Sequence, residues 1–362
     1  MNFAETETLP PLLITAVGSL PHIEAGDAVD LVLRTLKNAP HAPQLPRSDP
    51  REQMWVQFSE GLPRFHVDPE ELNYYFDTSG DPLGDIEGFY AAYLEIIDGA
   101  AADQFAVGAD YGRGIRLFLE RLSGDGGVRP FVKVQVTGPL SLALTVTDEK
   151  KTPIFYHPSF RDVVVKGIGL KAVWLVDTFR AFGKEVIVFF DEPILSAYGS
   201  SALLSVSRTD VIDSLNEVMS MTLNRGGIPG VHCCGNTDWG MIMETDARII
   251  NFDAVDYLET PAIYAANLNA FLGRGGVLAW GAVPNTEEIE EETAEHVLER
   301  IGKGIESYSK AGVDRDILLR RNIITPACGC AGLAPQYAEK VYQILADLEA
   351  AGERGLLSAD VH

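Results

Sequence analysis

Short apolar runs alternate along the chain with longer stretches in which apolar residues recur at helical spacing. Leu12-Leu13-Ile14-Thr15-Ala16-Val17 predicts a buried strand ending in Gly18-Ser19-Leu20-Pro21. Residues 26–39 predict a helix, with Ala28, Leu31, Val32, Thr35 and Leu36 on one side and Pro40 as its stop. A weaker, proline-flanked strand is expected at 42–46, then a helix at 49–61 with Met54, Trp55 and Phe58 on one side. Up to Val128 the pattern is mostly helical, over 70–76, 86–104 and 111–122. Further strands are expected at 131–136, 186–190, 227–231, 248–252, 276–281 and 318–325, and further helices at 160–182, 210–224, 286–311 and 335–350.

Continuous apolar strands separated by helices imply an α/β chain with a parallel sheet covered on both faces. Eight such strands close into a (β/α)8 TIM barrel, so residues 1–362 are expected to form one barrel domain. The mostly helical stretch of about 48–127 then becomes an insertion after the second strand. No Gly-rich dinucleotide fingerprint follows the first strand, which argues against a doubly wound nucleotide fold.

Composition narrows the class. An apolar fraction of 46% suffices for a large core, and a net charge of −23 opposes nucleic acid or an anionic membrane as partner. No apolar run approaches the roughly 18 residues of a membrane span. Residues 1–11 carry Glu5 and Glu7 without a basic cluster, unlike a signal peptide, so a cytoplasmic protein is expected.

The chain has four cysteines, all near two strand ends: Cys233 and Cys234 in Val231-His232-Cys233-Cys234-Gly235, and Cys328 and Cys330 in Thr325-Pro326-Ala327-Cys328-Gly329-Cys330. His232 and Cys234 lie two apart, so on an extended strand end both face one way, and imidazole with thiolate makes half a zinc site. Cys233 faces the other way, into the wall, while Cys330 is a spare thiol near the same place. Buried apolar cysteines or a Cys234–Cys328 disulfide are the alternatives. Ser19, Thr137, Asp191, Glu192, His232, Cys234, Asp253 and Cys328 all lie at or just past predicted strand ends, which a barrel gathers on one face. For Asp191-Glu192, capping of a helix competes with a role toward substrate.

These motifs, in order, resemble the catalytic C-terminal barrel of cobalamin-independent methionine synthase, within the superfamily shared with uroporphyrinogen decarboxylase and methylcobalamin:thiol methyltransferases. Thr15-Ala16-Val17-Gly18-Ser19-Leu20-Pro21 resembles the family's Thr-x-Ile-Gly-Ser-Phe-Pro, and Thr137-Gly138-Pro139 its Thr-Gly-Pro turn. Gln53-Met54 through Phe58 and Glu60 resembles the family's segment after its second strand. Asp191-Glu192-Pro193 resembles its Asp-Glu-Pro, His232-Cys233-Cys234 its His-x-Cys, and Thr325-Pro326-Ala327-Cys328-Gly329 its Asn-Pro-Asp-Cys-Gly.

The resemblance implies a zinc cofactor held by His232, Cys234, Cys328 and an acidic residue at the next strand end, Asp253, with Glu259 as runner-up. It implies S-methyltransfer to a small-molecule thiol, homocysteine giving methionine, with Asp191 on the amine and Ser19 and the Val17 backbone on the carboxylate. No catalytic residue beyond the zinc site is implied. Two departures stand out. The family's second amine-binding Glu is missing around Ser48-Asp49-Pro50, where Asp49 or Glu52 would have to substitute. Trp280-Gly281-Ala282 stands where the family has a proton-donating His. Because a folate nitrogen leaves only when protonated and cob(I)alamin needs no proton, the missing His favours a methylcorrinoid, or a corrinoid protein as partner, over a folate methyl donor. A metal-independent decarboxylase like uroporphyrinogen decarboxylase is the alternative; it would need basic residues in the mouth.

Overall fold

A computed structural model describes residues 12–353 apart from 69 and 72. The N-terminal stretch expected to lack a signal sequence, 1–11, lies outside the described residues. In chain order, β1 (Leu12–Ile14) leads to α1 (Ala25–Thr35), α2 (Met54–Gln57), β2 (Phe65–Asp68), β3 (Asn73–Phe76), α3 (Leu83–Ile97) and α4 (Arg113–Asp125). Then come β4 (Arg129–Thr137), α5 (Pro139–Thr145), α6 (Pro158–Phe179), β5 (Gly183–Asp191), α7 (Arg208–Asn224), β6 (Ile228–Cys233) and α8 (Trp239–Met243). The remainder is β7 (Ile249–Asp253), α9 (Ala265–Gly273), β8 (Val277–Val283), α10 (Ala294–Lys310), α11 (Arg315–Arg320), β9 (Asn322–Pro326) and α12 (Pro335–Glu353).

Seven strands form one curled parallel sheet in the order β1-β9-β8-β7-β6-β5-β4. Both faces are buried, as the continuous apolar runs require. Residues of one parity, among them Leu13, Phe131, Ile187, Ile249 and Ile323, pack in a cluster of their own inside the curl. Residues of the other parity, such as Val132, Val188, Val231 and Phe252, join the larger cluster beneath the helices.

The expected eighth strand does not form a ladder. The segment at 41–44 makes only isolated parallel bridges, His41 to Lys133 at one edge of the sheet and Ser19 to Gln44 at the other. The reason is in its sequence: Pro40, Pro43 and Pro46 have no N–H to donate, so a regular ladder cannot run through them. The main-chain bonds that remain include Lys133 N–H to Pro40 O (2.9 Å), Ala42 N–H to Lys133 O (3.0 Å), Gln44 N–H to Gly18 O (3.1 Å) and Leu20 N–H to Gln44 O (2.9 Å).

Other expectations change too, and the helix expected over 49–61 shrinks to a 3-10 turn at Pro50–Glu52 and the four residues of α2. The helix expected over 70–76 is replaced by an antiparallel hairpin of β2 and β3, whose register pairs Phe65 with Phe76 and His66 with Tyr75. Those ring pairs lie 5.2 and 5.3 Å apart, and aromatic cross-strand pairs favour a strand over a helix. The acidic helix expected over 286–311 is interrupted before α10, where Thr293 caps it by accepting from His296 N–H. The last strand begins at Asn322 rather than 318, because Asp314 caps α11 through the N–H groups of Asp316 and Ile317. Among the described residues no helix is long and apolar enough to cross a membrane.

The stretch between α1 and β4 is tied back through Glu52, which is fully buried. Its carboxylate accepts the N–H of Leu45 (3.0 Å) and of Arg113 (2.9 Å), joining the end of the 41–45 segment to the start of α4. Burial pushes this carboxyl up from 4.5 to about 7, against the two N–H donors. A group whose folded pKa is raised contributes stability fully below its unfolded pKa and loses it as pH rises through the folded one. The stability of the wild type relative to Glu52→Gln should therefore fall by about 1–3 kcal/mol between pH 4.5 and 7. Urea unfolding of both proteins across that range checks this; a difference that does not change with pH would refute it.

Candidate metal centre

The inward parity of the sheet decides what meets at its C-terminal end. Counting in twos from the inner apolar cluster, Ile187 and Phe189 lead to Asp191, Ile228 to His232, and Ile249 to Asn251 and Asp253. On β9 the same count leads from Ile323 to Thr325, and on β4 from Phe131 to Lys133 and Gln135. Register places Asp191 beside His232 and His232 beside Asn251 on neighbouring strands.

The ligand atoms of His232, Cys234 and Cys328 all lie within 4.8 Å of one another. Cys234 is carried just past the end of β6. Cys328 is held in the loop after β9, pinned by Ala327 N–H to Val283 O (2.9 Å) and Cys330 N–H to Ser19 O (2.8 Å). No disulfide is present: all four cysteines are free, Cys233 and Cys330 buried, Cys234 and Cys328 partly exposed. Cys233 belongs to the outer apolar cluster, as its parity requires, and so does Cys330.

The two partly exposed sulfurs act on each other. The Cys328 thiol beside it, and then His232, draw the Cys234 thiol down to about 4. Cys328 is pushed up by the same neighbour and by burial. His232 is 2% exposed, and its Nδ1 lies 2.6 Å from Asn251 Oδ1. Its Nε2 is buried and makes no hydrogen bond of normal geometry, but it faces the Cys234 sulfur. Burial opposes the charged imidazole, while Cys234 and Asp191 raise its pKa overall. One imidazole and two sulfurs are donors that zinc favours, and a tetrahedral zinc with bonds of about 2.0–2.3 Å spaces its donors by roughly 3.3–3.8 Å. The residues present fit that ion.

No carboxylate joins the three ligand atoms at that spacing among the described residues. Asp253 is 8% exposed, and its Oδ1 accepts the N–H of Val255 (2.8 Å) and Asp256 (3.0 Å), shaping the loop after β7. Glu259 is exposed, and its carboxylate accepts from Ser307 Oγ at 3.4 Å, toward α10. Asp191 is turned inward, and its Oδ1 is buried without a partner. Burial lifts its carboxyl to about 6, while His232 and Lys133 pull the other way.

The Val17 carbonyl accepts from Lys133 Nζ, and the groups of that loop able to donate to an anion are its main-chain N–H groups and the Ser19 hydroxyl. Ser19 lies against Gly329, where an added Cβ would come within 2.1 Å of its Oγ. Gly18 has φ of +143° and passes over Gln135, with no room for a side chain. The Thr137 hydroxyl donates to Met54 O at 2.5 Å and holds α2.

Glu192 takes the capping role. Fully buried, it accepts from Leu140 N–H (2.9 Å) and Ser141 N–H (2.7 Å) at the start of α5. The stand-ins considered for the missing Glu are engaged elsewhere: Asp49 pairs with Arg51 (2.9 Å) and Arg113 (2.8 Å), and Glu52 holds main chain. Trp280 is fully buried, and its Nε1–H donates to Asn322 Oδ1 at 2.9 Å.

Two residues escape the sequence reading. Lys133 is fully buried inside the curl; its Nζ reaches Val17 O and Gln135 Oε1 (3.1 Å) and lies 4.6 Å from the Phe189 ring centre. Burial lowers its ammonium to about 7, and Asp191 opposes that fall. Asn251, also fully buried, donates to Ala279 O (2.9 Å) and Thr325 Oγ1 (2.8 Å). The available signal was parity: in Phe131-Val132-Lys133-Val134-Gln135 and in Ile249-Ile250-Asn251-Phe252-Asp253 the polar residues alternate.

No family model matches the sequence, and no curated relative does. Among solved structures, the fold is similar to a B12-independent methionine synthase from Shewanella sp. W3-18-1 in complex with selenomethionine. The TM-score is 0.55 at 13% identity, over 97% of this chain and 100% of that one. It is also similar to a methyltransferase from Methanosarcina mazei, with a TM-score of 0.54 at 13% identity over 96% of this chain and 97% of that one. At such identity the likeness is one of fold, and it runs along nearly the whole chain.

The burial of the thiols makes a prediction. In native protein stripped of metal, an alkylating reagent should modify only Cys234 and Cys328, with Cys233 and Cys330 reacting after denaturation. Peptide mapping checks this; fast native labelling of Cys233 would overturn its placement in the wall.

Proposed function

We propose that this chain, a single barrel-type domain with an insertion at about 48–127, is a zinc-dependent methyltransferase that methylates a small thiol, homocysteine first among them. The observation that carries the reading is the buried, unpartnered Nε2 of His232 gathered with the sulfurs of Cys234 and Cys328. These three residues would hold the ion. Asp253 is the reading for a fourth ligand, through the oxygen that does not shape its own loop. Bound there, zinc would lower the pKa of a thiol offered at its open position, making the sulfur nucleophilic at neutral pH.

The chain's own groups would do the rest. Asp191, itself half-buried, offers an unpartnered, buried carboxylate oxygen to the substrate ammonium. Lys133, across the inner face, favours the ionised form of Asp191. The Val17–Ser19 loop would present its N–H groups and the Ser19 hydroxyl to the substrate carboxylate. In the transfer, a carbon–sulfur bond forms as the methyl carbon leaves its donor. The Trp280 N–H is spent on Asn322, so this position supplies no proton to a leaving folate nitrogen, which supports a methylcorrinoid over methyl-folate. The methionine synthase neighbour holds selenomethionine, a ligand in keeping with a methionine-like product. The decarboxylase alternative needs several basic groups in the mouth; beside Asp191, Asp253 and the sulfurs, the inward face offers His232 and a Lys133 already engaged with Val17 O and Gln135 Oε1.

Protein purified without chelator should carry about one zinc per chain, and Cys234→Ala or Cys328→Ala should lose it while far-ultraviolet circular dichroism stays native, since a core of this size does not depend on a metal. Full occupancy in both variants would sink the ligand assignment. Methylcobalamin and homocysteine should give methionine, with methyl-folate slower by about 10²–10⁴-fold for want of a positioned acid. Comparable rates from both donors would return the protein to the folate branch. Asp191→Asn should raise KM for homocysteine roughly tenfold or more; an unchanged KM would remove Asp191 from substrate binding.

A further inference from the structure

His232 has two ring nitrogens, and when the ring is neutral only the one without hydrogen can bind a cation. Which one that is depends on its neighbour. Asn251 Oδ1 lies 2.6 Å from His232 Nδ1, deep inside the sheet, where neither residue meets water. An amide can face either way, but here both of its hydrogens are committed on the far side. Asn251 Nδ2 donates to Ala279 O at 2.9 Å, and a carbonyl can only accept. It also donates to Thr325 Oγ1 at 2.8 Å, whose own hydrogen goes to Pro326 O at 2.8 Å.

Turning the amide over would set oxygen against oxygen at Ala279. The oxygen of Asn251 therefore faces the ring, and since it can only accept, Nδ1 must carry the hydrogen. That leaves the lone pair on Nε2, the atom that is buried and without a partner.

We infer that Asn251, oriented by Ala279 and Thr325, is a positioning residue that locks His232 as its Nδ1–H tautomer and presents Nε2 to the cation. The inference rests on the zinc reading for what Nε2 meets, but the lock itself exists without metal. It differs from carboxylate partnering of a metal-bound histidine in adding no charge. The site's charge is then left to the sulfurs and the carboxylates near them.

The test reads the lock and the metal separately. Protein labelled with ¹⁵N-histidine and stripped of metal is examined by long-range ¹H–¹⁵N NMR over a pH series, and the tautomer is read where the nitrogen shifts show the ring to be neutral; His232→Gln assigns the signal. The wild type should show hydrogen on Nδ1. Asn251→Leu and Thr325→Val should move population to the other tautomer, Thr325→Val by less. Cobalt(II), followed by its absorption, should bind Asn251→Leu about 10–100-fold more weakly than wild type. Should Asn251→Leu fail to fold, Thr325→Val carries both measurements. Hydrogen on Nε2 in the wild type, or unchanged tautomers in both variants, would overturn the lock. Failure of the wild type to bind cobalt would overturn the zinc reading instead, since the tautomer is read in its absence.

Discussion

Most polar groups inside the curl of the sheet are buried, and a buried polar group left without a partner costs about 1–3 kcal/mol. This constraint organises the interior. Thr15 donates to Ala39 O, Gln135 to Ala42 O, Lys133 to Val17 O, and Asn251 to Ala279 O and Thr325. At the C-terminal end of the strands the rule is broken twice, at Asp191 Oδ1 and His232 Nε2, on strand neighbours in direct register. A fold that satisfies the groups beneath and leaves two adjacent ones bare marks where something from outside completes them.

Asp191 and Glu192 show how one step along a strand separates two roles. Neighbouring residues face opposite ways. Asp191 looks inward, toward His232, and is left without a partner; Glu192 looks outward and disappears into the first turn of α5. Gly138 leaves the space that Glu192 occupies, since an added Cβ would come within 2.1 Å of its carboxyl carbon. Helix capping and a role toward substrate, rivals when the two acids are considered as a pair, are divided between them by parity.

The same periodicity explains what the sequence made legible. Strands buried on both faces appear as unbroken apolar runs, which is why 131–136, 186–190 and 248–252 fall within β4, β5 and β7 apart from Arg248, one residue before β7. Prolines hid the nature of the 42–46 segment by removing donors while leaving its extended shape. The hairpin at 65–76 was obscured because its short aromatic runs also suit a helical count, and cross-strand partners are not local. His232 and Cys234 announced themselves by residue type and a spacing of two. Lys133 and Asn251 did not, because a single polar letter in an apolar run has a role only once the strands on either side are known.

The isolated bridges at 41–44 give the molecule uneven stiffness. From β4 through β9 the sheet is tied by parallel ladders, broken by one register shift between Gly281 and Val283, and His232 and Cys234 are carried at the end of β6 within it. Between β4 and the extension of β1 only a few main-chain bonds bridge the gap, and Val17, Gly18 and Ser19 sit beside it. Spreading there strains few bonds, whereas spreading the ladders strains many. The mouth is thus compliant on the side of the Val17–Ser19 loop and rigid at the end of β6, which carries His232 and Cys234. Anything seated between them can be gripped by the soft wall while the hard wall keeps its geometry.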